Sequence, residues 1–356
     1  MGDFRGIIQR DISIVAPMEN VHVAAGGLVL PPTPLVDVPA IAERCGVARV
    51  LLKLESRRPL GNFKVLGGLY ASLKLLAAIA GTSVEDLCEQ RVPIPKLPAL
   101  LCASDGNHGL AVATAAGIAG TTAVIFLHRN VEPVRAARIE SAGGRIRWIE
   151  GTYDDAVDAA RLAAKAGDGL LIPDTSDQLD DPVVALVMEG YGVLVRELVA
   201  QLAHIGAVAS HVFVQAGVGG LAASVAAGIG PHMGGAKSIV VVEPDQAACV
   251  GRALGGGQIV RIDGNLDSAA AMLACGEASA SAVAILRAHH AVGISVSDAE
   301  LNGCVDSLDK DLGIQTTASG AAGLAGLLQA AADPLKRDAL RLTPGSTVVL
   351  FITEGP

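Results

Sequence analysis

The chain of 356 residues is 51% hydrophobic and only 3% aromatic, which is enough apolar material for a large core or for two domains. Its net charge of −9 provides no basic face, so a nucleic-acid partner is not expected. Charge or glycine interrupts the longest aliphatic runs before about 18 residues, so no membrane span is expected either.

Short aliphatic runs alternate with alanine-rich stretches along most of the chain. The runs predicted as strands are 49–55, 99–104, 122–127, 145–150, 169–173, 211–216, 237–243 and 346–352. The stretches predicted as helices include 109–119, 131–143, 152–167 and 182–203. This alternation favours parallel sheets covered by helices. The glycine-rich residues 252–265 are predicted to form a flexible connection.

The N-terminus and the cysteines indicate a cytoplasmic protein. Charges interrupt the first apolar stretch, which is atypical of a signal peptide. The six cysteines are scattered and form no C-x-x-C pair, so we interpret them as buried apolar residues in a reducing compartment. Neither a disulfide framework nor a metal site is expected.

The segment "GNFKVLGG" at 61–68 places Lys64 between Phe63 and two glycines. A lysine is ordinarily a solvated surface charge, here at the start of a helix with glycines for turn geometry. A desolvated lysine amine can instead form a Schiff base with a carbonyl group. The segment by itself leaves both interpretations open.

The segment "CASDGNHGLAVATAAGIAG" at 102–120 reads as a strand, a polar loop and an alanine-rich helix. Such a loop offers backbone N–H groups and the positive end of a helix dipole to an anion. A helix cap alone would need only one of Ser104, Asp105 and Asn107. The cluster therefore predicts either a ligand site or a heavily capped helix.

The segment "VQAGVGGLAASVAAGI" at 214–229 leads from a strand through clustered glycines into a helix, a pattern typical of phosphate binding. A dinucleotide-binding turn is the alternative. Ala222 stands at the third glycine position, which is an allowed variant, and Glu243 could be the acidic residue that binds a ribose. Nicotinamide binding is therefore a competing hypothesis.

The C-terminal segment "STVVLFITEGP" ends a predicted strand with Thr353, Glu354 and Gly355. It would bring a hydroxyl and a carboxylate to the carboxyl edge of a sheet, where ligands bind in α/β proteins. A frayed terminus is the alternative.

Taken together and in this order, the four segments resemble the fold type II family of pyridoxal 5′-phosphate (PLP) enzymes, which share the fold of the tryptophan synthase β-subunit. The resemblance implies an α/β fold of two three-layer αβα domains with mainly parallel sheets and PLP in the cleft between them. Residues 1–69 and 173–356 would form the large PLP-binding domain. Residues 70–172 would form the small domain that carries the Ser-Asp-Gly-Asn-His loop.

Within this family, the segments "FKVLGG", "SDGNHG", "MEGYGVL", "VEPDQAAC", "MLACGE" and "TEG" are similar to diaminopropionate ammonia-lyases. The resemblance implies β-elimination from 2,3-diaminopropionate or a close β-substituted alanine, giving aminoacrylate and then pyruvate and ammonia. The implied catalytic residues are Lys64 as Schiff-base lysine and general base, Asp105 as base for a D-substrate, and Asp174 as partner of the leaving amine.

The resemblance also implies the remaining site residues and the assembly. The cofactor contacts would be Phe63, Lys64, Asn107, Gly217, Val218, Gly219, Gly220, Leu221 and Thr353. The substrate contacts would be Ser104, Asp105, Gly106, His108, Asp174 and Thr175. Asn107 would bond the ring hydroxyl oxygen and Thr353 would face the ring nitrogen. The partners would be a small amino-acid substrate and a second copy in a homodimer, with no metal.

Two departures from the ammonia-lyase pattern leave alternatives open. Residues 177–180 replace a tryptophan-glutamate-glycine-tyrosine run, and residues 318–321 lack a carboxylate found in an E-S-G-A segment. A serine/threonine-type dehydratase, a β-replacement enzyme and a pyridoxal-binding homologue without turnover are therefore alternatives.

Overall fold

The computed structural model describes residues 13–15, 23–25, 28–91, 96–104, 106–264 and 266–356. Asp105, a predicted catalytic and substrate residue, lies outside the described residues, as does Asn265 at the end of the predicted flexible connection.

A larger sheet contains seven strands. They are β1 (Ser13–Val15), β4 (Leu35–Asp37), β5 (Arg49–Leu54), β10 (His211–Gln215), β11 (Ser238–Pro244), β12 (Val292–Val296) and β13 (Thr347–Ile352). Their spatial order is β1-β4-β5-β13-β10-β11-β12. The five neighbouring strands β5, β13, β10, β11 and β12 are parallel to one another. At one edge of the sheet, β4 pairs antiparallel with β5, and β1 pairs antiparallel with β4.

A smaller sheet contains four parallel strands. They are β6 (Leu100–Ala103), β7 (Ala123–His128), β8 (Gly144–Ile149) and β9 (Leu170–Leu171), in the order β8-β7-β6-β9. A separate hairpin pairs β2 (Val23–Ala25) with β3 (Leu28–Leu30). The smaller sheet lies within residues 70–172, the segment expected to be the small domain; the domain limits themselves stay a prediction.

Helices cover both sheets. They are α1 (Pro39–Cys45), α2 (Tyr70–Ala80), α3 (Val84–Cys88), α4 (Asn107–Ile118), α5 (Pro133–Ser141), α6 (Tyr153–Lys165), α7 (Pro182–His204), α8 (Gly220–Ile229), α9 (Cys249–Gly256), α10 (Ala280–Ala288), α11 (Asp298–Leu312), α12 (Ala318–Ala332) and α13 (Pro334–Ala339). Within the described part of the chain, no helix combines the length and apolar character that crossing a membrane requires.

The core lies on both faces of the larger sheet. Alternate residues of β13 belong to different hydrophobic clusters, since Val349 and Phe351 pack on one face and Val348, Leu350 and Ile352 on the other. A strand covered on both faces reads as a continuous aliphatic run, which is why the central strands were predictable. The predicted α/β class with mainly parallel sheets is confirmed.

The structure differs from the expected strands and from the expected flexible connection. Among the described strands, β1, β2, β3, β4 and β12 were not predicted, because the first four have three residues each and the edge strand β12 is interrupted by Gly293 and Ser295. The predicted flexible connection was wrong at its start, where residues 252–256 complete helix α9. Two of the three consecutive glycines thus belong to a helix, and Gly257, with φ of +78°, ends it.

A buried ion network joins the larger sheet to α7. Lys53 at the end of β5 donates to Glu197 (2.9 Å) and to Gln201 (3.0 Å), both on α7. Arg58 forms paired hydrogen bonds to Glu55 and to Glu197 at 2.7–2.9 Å. The side chains of these four charged residues are fully buried. The polar approach to Lys64 is therefore core structure, and it fixes the start of the Lys64 segment against α7.

Candidate active site

One cleft lies where β5, β10 and β13 of the larger sheet and β6 of the smaller sheet end. It holds about 740 Å³ of empty space, open solvent included. The predicted residues that line it are Phe63, Lys64, Ser104, Asn107, His108, Asp174, Gly217, Val218, Gly219, Gly220, Leu221 and Thr353. Carboxyl ends of parallel strands meet at one edge of a sheet, which explains why segments far apart in sequence converge here.

The lining also contains residues that sequence reasoning missed. They are Tyr153, Tyr191, Gln215, Ala216, Met272, Leu273, Cys275 and Ser319. Gln215 and Ala216 directly precede the predicted glycine cluster, so that motif could have signalled both. Glu354 also lines the cleft and is the carboxylate expected at this edge of the sheet. Two predicted substrate residues, Gly106 and Thr175, are not among the lining residues.

The Lys64 segment is attached to the end of β13. The Phe63 N–H donates to the Thr353 carbonyl (3.2 Å), and the Gly355 N–H donates to the Gly61 carbonyl (2.9 Å). The Lys64 N–H donates to the Asn62 side-chain oxygen (3.0 Å). A π-helical turn, Val65–Leu69, then leads into α2. These contacts hold the lysine at the cleft.

The glycines after Lys64 permit close packing rather than a turn. A Cβ on Gly67 would lie 2.5 Å from Cε1 of Tyr191, and a Cβ on Gly68 would lie 2.9 Å from Cβ of Ala111. Neither glycine has a positive φ. The lysine segment therefore lies directly against α7 and α4, and larger residues would push it out of place.

Lys64 forms an ion pair with Asp174 inside the cleft. The other carboxylate oxygen of Asp174 accepts a hydrogen bond from the Tyr153 hydroxyl (2.7 Å). Burial lowers the pKa of Lys64, but the Asp174 carboxylate, together with Tyr191 and Cys275, holds that pKa above its ordinary value. Burial raises the pKa of Asp174, but Lys64 outweighs it and holds that pKa below its ordinary range. An amine and a carboxylate thus lie together in the cleft.

The glycine cluster forms a cradle at the N-terminus of α8. Gly219 caps the helix with φ of +99°, a left-handed conformation that favours glycine. A Cβ on Gly219 would lie 3.2 Å from Cβ of Ala282, and one on Gly217 would lie 3.1 Å from Sγ of Cys275. The first N–H groups of a helix have no acceptor within it, so they face a phosphate placed in this cradle.

The Thr353 hydroxyl is oriented by Gln215. The Gln215 amide nitrogen donates to Thr353 Oγ1 (3.0 Å) and lies 3.0–3.2 Å from three backbone carbonyls. Because these carbonyls are acceptors, the nitrogen and not the oxygen of the amide must face them. Thr353 therefore accepts from Gln215, and its own hydrogen is available to an acceptor in the cleft.

The side chains of Ser104 and His108 form hydrogen bonds to nearby backbone groups. Ser104 Oγ accepts the N–H groups of Gly106 (2.9 Å) and Gly109 (2.8 Å), which caps the start of α4. His108 Nε2 bonds to the carbonyl of Ile172 (2.8 Å), and burial lowers the pKa of this histidine. The neutral imidazole of His108 thus joins the first turn of α4 to the segment that follows β9, and its predicted contact with the substrate stays a prediction.

Residues 177–180, where the sequence departs from the ammonia-lyase pattern, are exposed and do not line the cleft. Asp177 instead faces Arg161 at 3.7 Å. Only Asp174 of the segment 174–180 lines the cleft, so the departure at 177–180 does not alter the cleft surface itself.

Glu243, the candidate ribose ligand of the nicotinamide hypothesis, binds backbone groups of the protein itself. Its carboxylate accepts the N–H groups of Val250 and Gly251 at the start of α9 (2.7 Å each). Burial raises its pKa to about 8 although both N–H groups oppose the rise. A buried carboxylate with two backbone partners is not available to a ribose, so the dinucleotide hypothesis loses its acidic ligand.

The cleft therefore offers an amine, a glycine cradle for a phosphate, a hydroxyl donor and an amide. A carbonyl compound that carries an aromatic ring and a phosphate matches this donor set. Fold and site together define a pyridoxal-phosphate enzyme with an α/β fold.

Comparison with known proteins agrees. The chain matches the family "Pyridoxal-phosphate dependent enzyme" over residues 28–354 and belongs to that family. A diaminopropionate ammonia-lyase of Escherichia coli (strain K12) is 31% identical over 336 residues, which are 91% of this chain and 84% of that protein. An L-threonine dehydratase of Pasteurella multocida (strain Pm70) is 31% identical over 231 residues, 65% of this chain and 39% of that protein.

Among solved structures, diaminopropionate ammonia lyase from Escherichia coli in complex with D-serine superposes with a TM-score of 0.82 at 28% identity. The match covers 97% of this chain and 93% of that chain. The predicted family, fold type and cofactor are thereby confirmed. The roles of individual site residues stay predictions.

Proposed function

We propose that this protein is an ammonia-lyase that removes the β-amino group of 2,3-diaminopropionate or a close β-substituted alanine. The products would be aminoacrylate and then pyruvate and ammonia. The observation that carries the proposal is the Lys64–Asp174 pair, held by Tyr153 within the cleft. Elimination needs one group that takes a proton from Cα and one that serves the leaving amine, and the pair supplies both.

The bound cofactor supplies the electron sink. Lys64 would hold the cofactor and, once released by the substrate amine, would act as the base at Cα. The neutral Thr353 hydroxyl would donate to the ring nitrogen, Asn107 to the ring oxygen, and Gly217–Leu221 would bind the phosphate. A neutral partner at the ring nitrogen makes a weaker sink than a carboxylate would, which suits elimination over a long-lived carbanion.

Asp174 would serve the leaving group, and its environment explains how. Its pKa is held low by the charge of Lys64, while burial acts in the opposite direction. Loss of the Lys64 charge would remove the main cause that lowers this pKa and would shift Asp174 toward the protonated carboxyl. Asp174 would then be an acid beside the departing amine, oriented by the Tyr153 hydroxyl.

Asp105, which lies outside the described residues, would remove the Cα proton of a D-substrate from the face opposite Lys64. The resemblance to the ammonia-lyases supports this role. From the same resemblance we also propose that the protein is a homodimer, which sedimentation of the holoenzyme tests. The domain limits given above are proposed on the same ground.

A panel of D- and L-forms of β-substituted alanines, read by pyruvate release, tests the function. We expect 2,3-diaminopropionate to be turned over, and Asp174→Asn to lower kcat about a hundredfold or more. Asp105→Asn should reduce activity on the D-form more than on the L-form. Asp177→Asn is the matched control, because Asp177 is exposed and its loss should leave activity unchanged.

Equal loss of D and L activity in Asp105→Asn would show that the assignment of opposite faces is wrong. Turnover of serine or threonine without turnover of diaminopropionate would favour the dehydratase alternative, which the similarity to an L-threonine dehydratase supports. A protein that binds PLP through Lys64 but releases no pyruvate from any member of the panel would contradict the proposal.

A further inference from the structure

Glu354 is a buried carboxylate at the cleft that the catalytic roles above do not use. It directly follows Thr353 and is 5% exposed. Its carbonyl accepts from the Thr316 hydroxyl (2.6 Å), and its backbone bridges to Asn62, two residues before Lys64. The backbone of Glu354 is thus part of the same attachment that holds the Lys64 segment.

The side chain of Glu354 contacts both sides of the cleft. One carboxylate oxygen accepts from the Thr317 hydroxyl at the start of α12 (2.5 Å), and the other accepts from the amide nitrogen of Asn107 on α4. Thr317 Oγ1 itself accepts the N–H of Gly320 (3.1 Å), so its hydrogen points to Glu354. The Glu354 oxygen that faces Thr317 is therefore an acceptor, as it is in the ionised form.

The charges around Glu354 suit that form. Burial holds the pKa of Glu354 above its ordinary value, and the Thr317 hydrogen bond, Arg135, Asn107 and Arg138 oppose this rise without cancelling it. Arg135 and Arg138 lie on α5, beside the smaller sheet, and Arg138 also donates to the carbonyl of Leu60 (2.9 Å). The positive charges of Arg135 and Arg138, on the side of the smaller sheet, thus act on the carboxylate of Glu354, which follows β13 of the larger sheet.

The contact determines which way the Asn107 amide faces. An ionised carboxylate can only accept, so with Glu354 charged the amide nitrogen of Asn107 is the atom that faces it. One N–H is held by Glu354, and the second is left for an acceptor elsewhere. Asn107 lines the cleft.

We infer that Glu354 is a positioning residue, which holds one N–H of Asn107 so that the other donates to the ring oxygen of the bound cofactor. The inference rests on the role proposed for Asn107. It also makes Glu354 the link between the Lys64 segment and α4, because the same residue is attached to both.

A double-mutant cycle on cofactor binding tests this. The apoenzyme is titrated with PLP, and the dissociation constant is measured for the parent, Glu354→Gln, Asn107→Ala and the double variant. We expect Glu354→Gln to weaken PLP binding about tenfold, because its amide can donate or accept and no longer fixes Asn107. The double variant should bind PLP no more weakly than Asn107→Ala alone.

The ratio of the two absorption bands of the bound cofactor gives a second readout, because it reports the ionisation of the ring hydroxyl. It should shift in the same direction in Glu354→Gln and in Asn107→Ala. Glu150→Gln is the matched control, since Glu150 is exposed and pairs with Arg129 away from the cleft, and it should change neither readout.

Additive losses in the cycle, or an unchanged PLP affinity in Glu354→Gln, would overturn the inference. If thermal unfolding shows that Glu354→Gln is not folded, Glu354→Asp replaces it in the cycle. The same two outcomes would then overturn the inference. No substrate is needed for either readout. If no member of the substrate panel releases pyruvate, the inference about Glu354 is therefore not contradicted. If the losses of PLP affinity in the cycle are additive, the proposed substrate is not contradicted.

Discussion

At the scale of single residues, charge pairing decides what Lys64 and Asp174 can do. Each group is held in its ionised form by the other, against burial that disfavours both charges. The side chains are 22% and 9% exposed, so solvent screens the pair only in part. The pair therefore contributes to the stability of the apoenzyme as well as to its chemistry.

The stability of the apoenzyme should depend on pH through Asp174. Because the folded pKa lies below the unfolded value of about 3.9, the stabilisation is present above that pH and is lost as pH falls through the folded pKa. Asp174→Asn should therefore lower the free energy of unfolding by about 3 kcal/mol near pH 7. Urea titrations should show this difference from the parent shrinking below pH about 4; a constant difference would contradict the pairing.

At the scale of elements, the position of the lysine depends on how closely its segment approaches α7. A Cβ on Gly190 would overlap the carbonyl oxygen of Leu66, and Gly67 meets Tyr191 of the same helix. Helix propensity would favour alanine at a position such as 190, so a glycine there reflects the contact between elements.

Gly190→Ala should push the Lys64 segment away from α7. We expect a loss of about 1–3 kcal/mol in unfolding free energy from overpacking, together with weaker PLP loading. Gly192→Ala on the same helix is the control, because a Cβ there meets only the flexible end of Arg196 (3.1 Å). That variant should be neutral or stabilised by up to about 1 kcal/mol. Equal behaviour of the two variants in denaturation and absorbance would refute the close-contact argument.

At the scale of the whole molecule, the buried ion network joins parts of the chain that are far apart in sequence. Lys53 and Arg58 precede the lysine segment, while Glu197 lies on α7, 144 and 139 residues away respectively. Two acids and two bases balance one another, and Thr33 and Gln201 supply further hydrogen bonds. Removing one member leaves a buried charge without its partner.

Glu197→Ala should therefore lower the free energy of unfolding by about 3–5 kcal/mol, because Lys53 and Arg58 lose a shared partner inside the core. Glu189→Ala on the same helix removes an exposed carboxylate that pairs with Lys74 and should cost at most about 1 kcal/mol. Urea denaturation of both variants compares them. Similar losses would mean that the network contributes no more than a surface pair.

The sequence by itself determined the layered α/β class and the four segments at the cleft. Alternation of buried strands with helices is a local pattern, and so is a strand that ends in glycines or in a polar loop. The cradle at Gly217–Gly220 and the position of Lys64 after a strand could be predicted for this reason. The short strand β4 and the edge strand β12 could not, since neither carries a long aliphatic run.

Only the tertiary structure decided which side chains meet. Asp174 lies 110 residues from Lys64, and Glu354 lies 247 residues from Asn107, so their contacts depend on how the two sheets close around the cleft. Tertiary packing also explains why the glycines after Lys64 are sites of close contact between elements. It pairs Glu243 with backbone N–H groups and places residues 177–180 at the surface. Local patterns specify elements, whereas burial and hydrogen bonding between distant elements select the partners of each charged group.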